Sequence, residues 1–201
     1  MNTEQSRWFD DAFADQTTMI ILRGLSPAET VALCHRDLGI TQVEVPVQTV
    51  EAMASLRAAI AAGRERAMGV GAGTVTTTEQ LRAVAGAGVS FTVAPGTDPE
   101  VLQWSAEHKL PHLPGVSTPS EIQLALKGGA RWMKAFPASV LGTDWFAAVQ
   151  APFPQVRLVA TGGMTTESIP QFLAAGARVV SLGSALQDAR QLAALVRHVQ
   201  P

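Results

Sequence analysis

The stretch His112-Leu113-Pro114-Gly115-Val116-Ser117-Thr118-Pro119-Ser120-Glu121-Ile122-Gln123-Leu124-Ala125-Leu126-Lys127-Gly128-Gly129-Ala130-Arg131-Trp132-Met133-Lys134-Ala135-Phe136 contains one full structural phrase. His112 to Pro114 reads as a short apolar strand. Thr118-Pro119-Ser120-Glu121 has the residues of a helix start: a hydroxyl that can cap free N–H groups, a proline that needs no N–H, and a glutamate that can bond back. An Ala/Leu-rich segment follows, Gly129 stands where a helix C-cap belongs, and Trp132 to Phe136 reads as the next strand. Strand, helix and strand in this order predict parallel strands joined by a crossover helix.

The same phrase recurs outward in both directions. Further strands are expected at Met19 to Leu22, Gln42 to Val47, Met68 to Gly73, Phe91 to Ala94, Arg157 to Thr161 and Val179 to Leu182, eight in all. Helix starts are expected at Ser26-Pro27, Thr78-Glu79, Asp98-Pro99 and Thr165-Thr166-Glu167, with helix ends at Gly39, Gly63, Gly88 and Gly176. Eight βα units predict an α/β fold of the (β/α)8 TIM barrel type over residues 1–201 as a single domain; an open doubly wound sheet is the main rival. Trp8, Phe9, Asp10, Ala12 and Phe13 give residues 1–15 the pattern of a short amphipathic N-terminal helix.

Composition narrows the partners. The 201 residues suffice for one sizeable core, and no Pro/Ser-rich linker or charge block divides them. A net charge of −2 offers no footprint for nucleic acid, although backbone amides and one arginine suffice for a small phosphorylated ligand. Cys34 is the only cysteine, which excludes an intrachain disulfide framework and suits a reducing cytoplasm. The first residues lack the basic and apolar regions of a standard secretory signal, and no run approaches a membrane span, so no membrane partner is expected. His35, His108, His112 and His198 fall in separate elements, so no metal site is expected.

In a TIM barrel the site lies at the C-terminal ends of the strands. Two charges there are out of place. Lys134, one of three lysines, sits inside an apolar strand; desolvation lowers an ammonium's pKa and yields a nucleophilic amine able to form a Schiff base, unless the stem packs and the head snorkels out. Glu44 alternates with Val43 and Val45, so if the valines face the helices, its carboxylate points into the barrel. There it suits proton transfer or a structural ion pair. Gly162-Gly163 and Gly183-Ser184 follow the last two strands, where barrels frequently hold phosphate, and Thr161 and Ser184 add hydroxyls. Arg23, ending the first strand, is read either as a carboxylate fork or as a surface arginine.

Taken in order, Val43-Glu44-Val45, Gly71-Ala72-Gly73-Thr74-Val75, Pro95-Gly96, Pro114 to Glu121, Lys134-Ala135-Phe136-Pro137-Ala138, Thr161-Gly162-Gly163 and Gly183-Ser184-Ala185-Leu186 resemble the pyruvate-dependent class I aldolases of the 2-keto-3-deoxy-6-phosphogluconate and 4-hydroxy-2-oxoglutarate type. The resemblance covers nearly the whole chain. It implies Lys134 as the Schiff-base lysine, Glu44 as the general acid/base, Thr74 and Pro95 beside the pyruvate, and Phe136 beside the imine. Thr161, Gly162, Gly163, Gly183 and Ser184 would receive the distal phosphate. The implied reaction releases pyruvate and glyceraldehyde 3-phosphate, with 4-hydroxy-2-oxoglutarate as a further implied substrate; no cofactor is implied, and family members are homotrimers. Many members carry an arginine where this chain has Gln48; Ile21-Leu22-Arg23-Gly24 resembles the alternative arrangement, shared with the 2-keto-3-deoxy-6-phosphogalactonate aldolase branch, and assigns the carboxylate to Arg23. The rivals are a phosphosugar isomerase or epimerase and a non-catalytic sugar-phosphate binding protein.

Overall fold

The alternation of strand and helix is realised throughout the computed structural model, which describes residues 4–184 and 188–199. A first helix, α1 (Glu4–Ala12), precedes β1 (Thr18–Ile21), α2 (Pro27–Cys34), β2 (Gln42–Pro46), α3 (Val50–Glu65) and β3 (Gly69–Gly73). There follow α4 (Thr78–Ala87), β4 (Phe91–Val93), α5 (Pro99–Glu107), β5 (His112–Leu113), β6 (Gly115–Val116) and α6 (Pro119–Lys127). The chain continues through β7 (Trp132–Ala135), α7 (Ala138–Gln150), β8 (Arg157–Thr161), α8 (Ile169–Ala174), β9 (Ala177–Leu182) and α9 (Ala189–Val199).

Neighbouring strands are parallel in the order β5-β4-β3-β2-β1-β9-β8-β7-β6, which is a (β/α)8 barrel cut at one point. The ninth segment comes from the fifth strand, expected as His112 to Pro114 and observed in two pieces. Pro114 has no N–H to continue the ladder. Below it, His112 and Leu113 pair with β4; above it, Gly115 and Val116 pair with β7. The Pro114 carbonyl still accepts from the Lys134 N–H at 2.8 Å, so the halves of one strand close the barrel.

Local chemistry explains the helix starts. Ser26 and Thr118 form capping boxes with Glu29 and Glu121, and Asp98 caps α5. The α4 cap is Thr77 rather than Thr78, because its hydroxyl reaches the Gln80 N–H. Gly88 ends α4 in the left-handed region as expected, but Gly63 lies inside α3. There a side chain would press on Val70 and on the Met68 carbonyl, so the glycine permits close helix-to-strand packing rather than a turn.

Two cores result. Val43, Val45 and Val47 face outward and pack with Leu56, Ala59 and Ile60 of α3 in the layer between barrel and helices. Inside the barrel, Phe9, Phe13, Met19, Phe91, Leu113 and Trp132 form a separate cluster near the strand starts. Thus α1 and the turn after it plug the N-terminal end. The Trp132 indole N–H donates to Asp10 at 2.9 Å, and the Arg178 guanidinium donates to the carbonyls of Phe13, Ala14 and Gln16. The expected N-terminal helix over 1–15 is therefore real over Glu4–Ala12, with residues 1–3 outside the described residues.

Candidate active site

Strand alternation delivers Lys134 and Glu44 to the barrel interior, above the aromatic plug. Lys134 is 4% exposed and Glu44 is 1% exposed, so both are buried in the barrel and the snorkelling alternative for Lys134 falls away. Burial pulls the Lys134 ammonium below its ordinary pKa, with the nearby Glu44 charge opposing and Arg23 reinforcing the fall. Burial likewise raises the Glu44 carboxyl pKa, against the opposing pull of Lys134 and Arg23. Among the described residues no ion pair within 4.0 Å joins the two, and Glu44 Oε2 has no hydrogen-bond partner. Their coupling acts across space, as a pair must if a reacting carbon is to lie near both.

Room for Glu44 comes from β3. Gly69, Gly71 and Gly73 present no side chains where Gln42, Phe91 and the Glu44 carboxylate lie; a methyl at any of them would overlap those groups. The Gly-x-Gly-x-Gly spacing was visible in the chain, but its meaning depends on which neighbours fill the space. Thr74, the next residue, holds φ 61°, a left-handed conformation that for a β-branched residue costs about 1–3 kcal/mol. It turns the chain at the edge of the cavity.

That cavity, about 480 Å³, opens at the C-terminal ends of the strands. Lys134 and Phe136 form one wall, with the Lys134 Nζ 4.9 Å from the centre of the Phe136 ring. Arg23, Thr74 and Pro95 line a second part. Thr161, Gly162, Gly163, Gly183 and Ser184 line a third. Gly162 (φ 97°) and Gly163 (φ 72°) form a turn that the Ser139 N–H ties down by donating to the Gly162 carbonyl at 3.1 Å. Every expected site residue except Glu44 lines the cavity. The Glu44 carboxylate lies against Gly73, the residue before Thr74 of the cavity lining. Ala185 and Leu186, the end of the last motif, are outside the described residues.

Sequence reasoning missed three cavity residues: Ile21, Met164 and Ser181. Ser181 is 1% exposed, and among the described residues its hydroxyl has no hydrogen-bond partner. It is aligned with Thr161 on β8, a placement that follows from register and not from any motif. Among the described residues no three His, Cys, Asp or Glu side chains group in a way that could hold a metal ion.

The model of the family described as KDPG and KHG aldolase matches residues 18–196. The chain belongs to that family. An Escherichia coli (strain K12) 2-dehydro-3-deoxy-6-phosphogalactonate aldolase is 34% identical over 174 residues, 85% of this chain and 84% of the relative. A native KDPGal structure superposes with a TM-score of 0.81 at 30% identity, covering 91% of this chain and 94% of that one. A KDPG aldolase from Legionella pneumophila, with pyruvate captured at low pH as a covalent carbinolamine intermediate, gives a TM-score of 0.79 at 26% identity over 98% and 96% of the two chains. Members of the KDPG and KHG aldolase family are class I lyases, so this chain is a carbon–carbon lyase working through a lysine Schiff base.

Proposed function

We propose that the enzyme cleaves a 2-keto-3-deoxy-6-phospho sugar acid, of the gluconate or galactonate type, to pyruvate and glyceraldehyde 3-phosphate, with Lys134 as nucleophile and Glu44 as general acid/base. The observation that carries this reading is one cavity lined by a buried lysine of depressed pKa, an arginine and two glycine turns. A phosphorylated keto acid needs an amine for its ketone, a cation for its carboxylate and N–H groups for its phosphate. The aldolase reading also extends to 4-hydroxy-2-oxoglutarate, whose products are pyruvate and glyoxylate.

The neutral Lys134 amine attacks the C2 ketone and forms a carbinolamine. Glu44, directly or through a water, supplies the proton with which the C2 hydroxyl departs as water, leaving an iminium. Deprotonation of the C4 hydroxyl breaks the C3–C4 bond; its electron pair moves into the iminium, giving an enamine, and the aldehyde leaves. The enamine carbon then takes a proton and water hydrolyses the imine, returning Lys134 and pyruvate. In this reading Arg23 receives the carboxylate, Thr74 and Pro95 border the pyruvyl group, and Phe136 packs beside the imine. The exposed N–H groups around Gly162, Gly163 and Gly183, with the Thr161 and Ser184 hydroxyls, receive the distal phosphate.

No cofactor takes part in these steps. We further propose that residues 1–201 act as one domain, that the enzyme is a homotrimer, and that it works in the cytoplasm, where the buried free Cys34 fits a reducing environment. Among the described residues no helix is long and apolar enough to cross a membrane. Two buried, poised charges favour the aldolase over a phosphosugar isomerase or a non-catalytic binder, neither of which needs an amine nucleophile. Incubation with pyruvate and borohydride is expected to add a reduced pyruvyl mass to Lys134. An active preparation left unmodified at Lys134 would overturn the assignment.

A further inference from the structure

Arg23 and Gln48 end adjacent strands. β1 and β2 are paired at Ile21 and Glu44, the Leu22 N–H donates to the Glu44 carbonyl at 2.8 Å, and the Val47 N–H donates across to the Gly73 carbonyl at 2.9 Å. The backbone is therefore fixed up to the residue before each side chain. Beyond it, Arg23 Nη1 donates to Gln48 Oε1 at 2.5 Å. Both side chains line the 480 Å³ cavity that holds Lys134, and both line a neighbouring cavity of about 460 Å³ at the start of α3. The hydrogen-bonded pair is the partition between the two spaces.

We propose that Gln48 is a positioning residue that holds the Arg23 guanidinium, with its charge uncompensated, at the carboxylate end of the substrate cavity. This inference rests on the reading of Arg23 as the carboxylate site. An arginine side chain free at a cavity mouth samples many rotamers, and ordering it is part of the cost of binding. Gln48 reduces that cost by accepting from one Nη, leaving the other guanidinium N–H groups for a two-point contact with a carboxylate. The choice of a neutral acceptor matters. A carboxylate at position 48 would neutralise Arg23 and compete with the substrate, while a second cation would repel it. Among the described residues Arg23 has no acidic partner within 4.0 Å, so its charge stays available.

The test is the pyruvate concentration that half-saturates borohydride trapping in the full-length enzyme, measured for the wild type, Gln48→Leu, Gln48→Glu, Arg23→Ala and the Arg23→Ala/Gln48→Leu double variant. Methyl pyruvate, which lacks the charge, is the control ligand. Gln48→Leu is expected to raise half-saturation by roughly five- to tenfold for pyruvate, with the maximal trapping rate kept and no change for the ester. Gln48→Glu is expected to raise it further, and Gln48→Leu to add nothing once Arg23 is gone. A structural defect would affect both ligands alike. Normal pyruvate saturation in Gln48→Leu, or an undiminished effect of Gln48→Leu in the Arg23→Ala background, overturns the positioning role while leaving Arg23 in place. Normal saturation in Arg23→Ala overturns the carboxylate assignment and this inference together.

Discussion

At the N-terminal end of the barrel, Phe9, Phe13, Phe91 and Trp132 fill the interior with rings whose centres lie 5.5 to 6.4 Å apart where they meet, and α1 closes the opening. At the C-terminal end the same sheet presents Glu44, Gly73, Lys134 and Thr161, leaving a cavity and two buried charges that, among the described residues, no direct ion pair joins. The difference teaches a division of labour within one sheet. The lower half gains stability by filling space with apolar surface. The upper half gives up filling and charge neutralisation, and that sacrifice keeps an amine reactive and a pocket open.

The sharpest way to break this comparison is to give the upper half the chemistry of the lower. Lys134→Met is expected to abolish pyruvate trapping and turnover while leaving the thermal midpoint unchanged or raised, since a desolvated charge is replaced by an apolar stem of similar length. A lowered midpoint would mean that Lys134 is a structural partner. Filling the space alone comes next. In Gly73→Ala the new methyl displaces the Glu44 carboxylate, a flexible end that can swing aside, so turnover is expected to fall by about 10² to 10⁴ with the protein still folded. Retained turnover would show that Glu44 acts from another position.

The converse change empties the lower half. Phe9→Ala removes a ring buried to 1% exposure, with an expected loss of about 3–5 kcal/mol in denaturant unfolding. The folded fraction should keep the wild-type turnover number, and a parallel fall in turnover would show that the plug and the site are not independent. The smallest effect is electrostatic. Glu44 raises the Lys134 pKa against burial, so Glu44→Gln should lower it further and carry the alkaline-rising limb of the trapping rate to lower pH. Arg23 acts in the opposite sense, and Arg23→Gln should move the same limb to higher pH. An unmoved limb in both variants would mean that Lys134 does not sense these charges.

Much of the architecture is legible in the sequence, because helix caps and strand alternation are written within a few residues. The capping box of Thr118 and Glu121 and the left-handed Gly88 both emerged as expected. Period-two alternation put Glu44 on the face opposite Val43 and Val45, and the packing of those valines on α3 makes that face the inner one. Where the reading slipped, the cause was distant. Gly63 resembles a cap until Val70 is seen pressing on it, and the fifth strand looks continuous until its two halves are seen to pair with different neighbours. In the site, Arg23 and Gln48 were both noticed, Arg23 as the carboxylate contact and Gln48 as the position lacking the family's arginine, since nothing local says that one holds the other.

By itself, then, the chain determined the order of strands and helices, the alternation that sets Glu44 opposite Val43 and Val45, and the motifs of the aldolase family. These depend on short-range hydrogen bonding, on side-chain periodicity and on residues recognisable in line. Only the tertiary structure decided that β3 is bare so that Glu44 fits, that Pro114 splits the strand that closes the barrel, and that Gln48 grips Arg23. Each of these is a matter of which atoms occupy the same few cubic ångströms after residues 20 or more apart in sequence have met, and excluded volume between distant residues has no period to read.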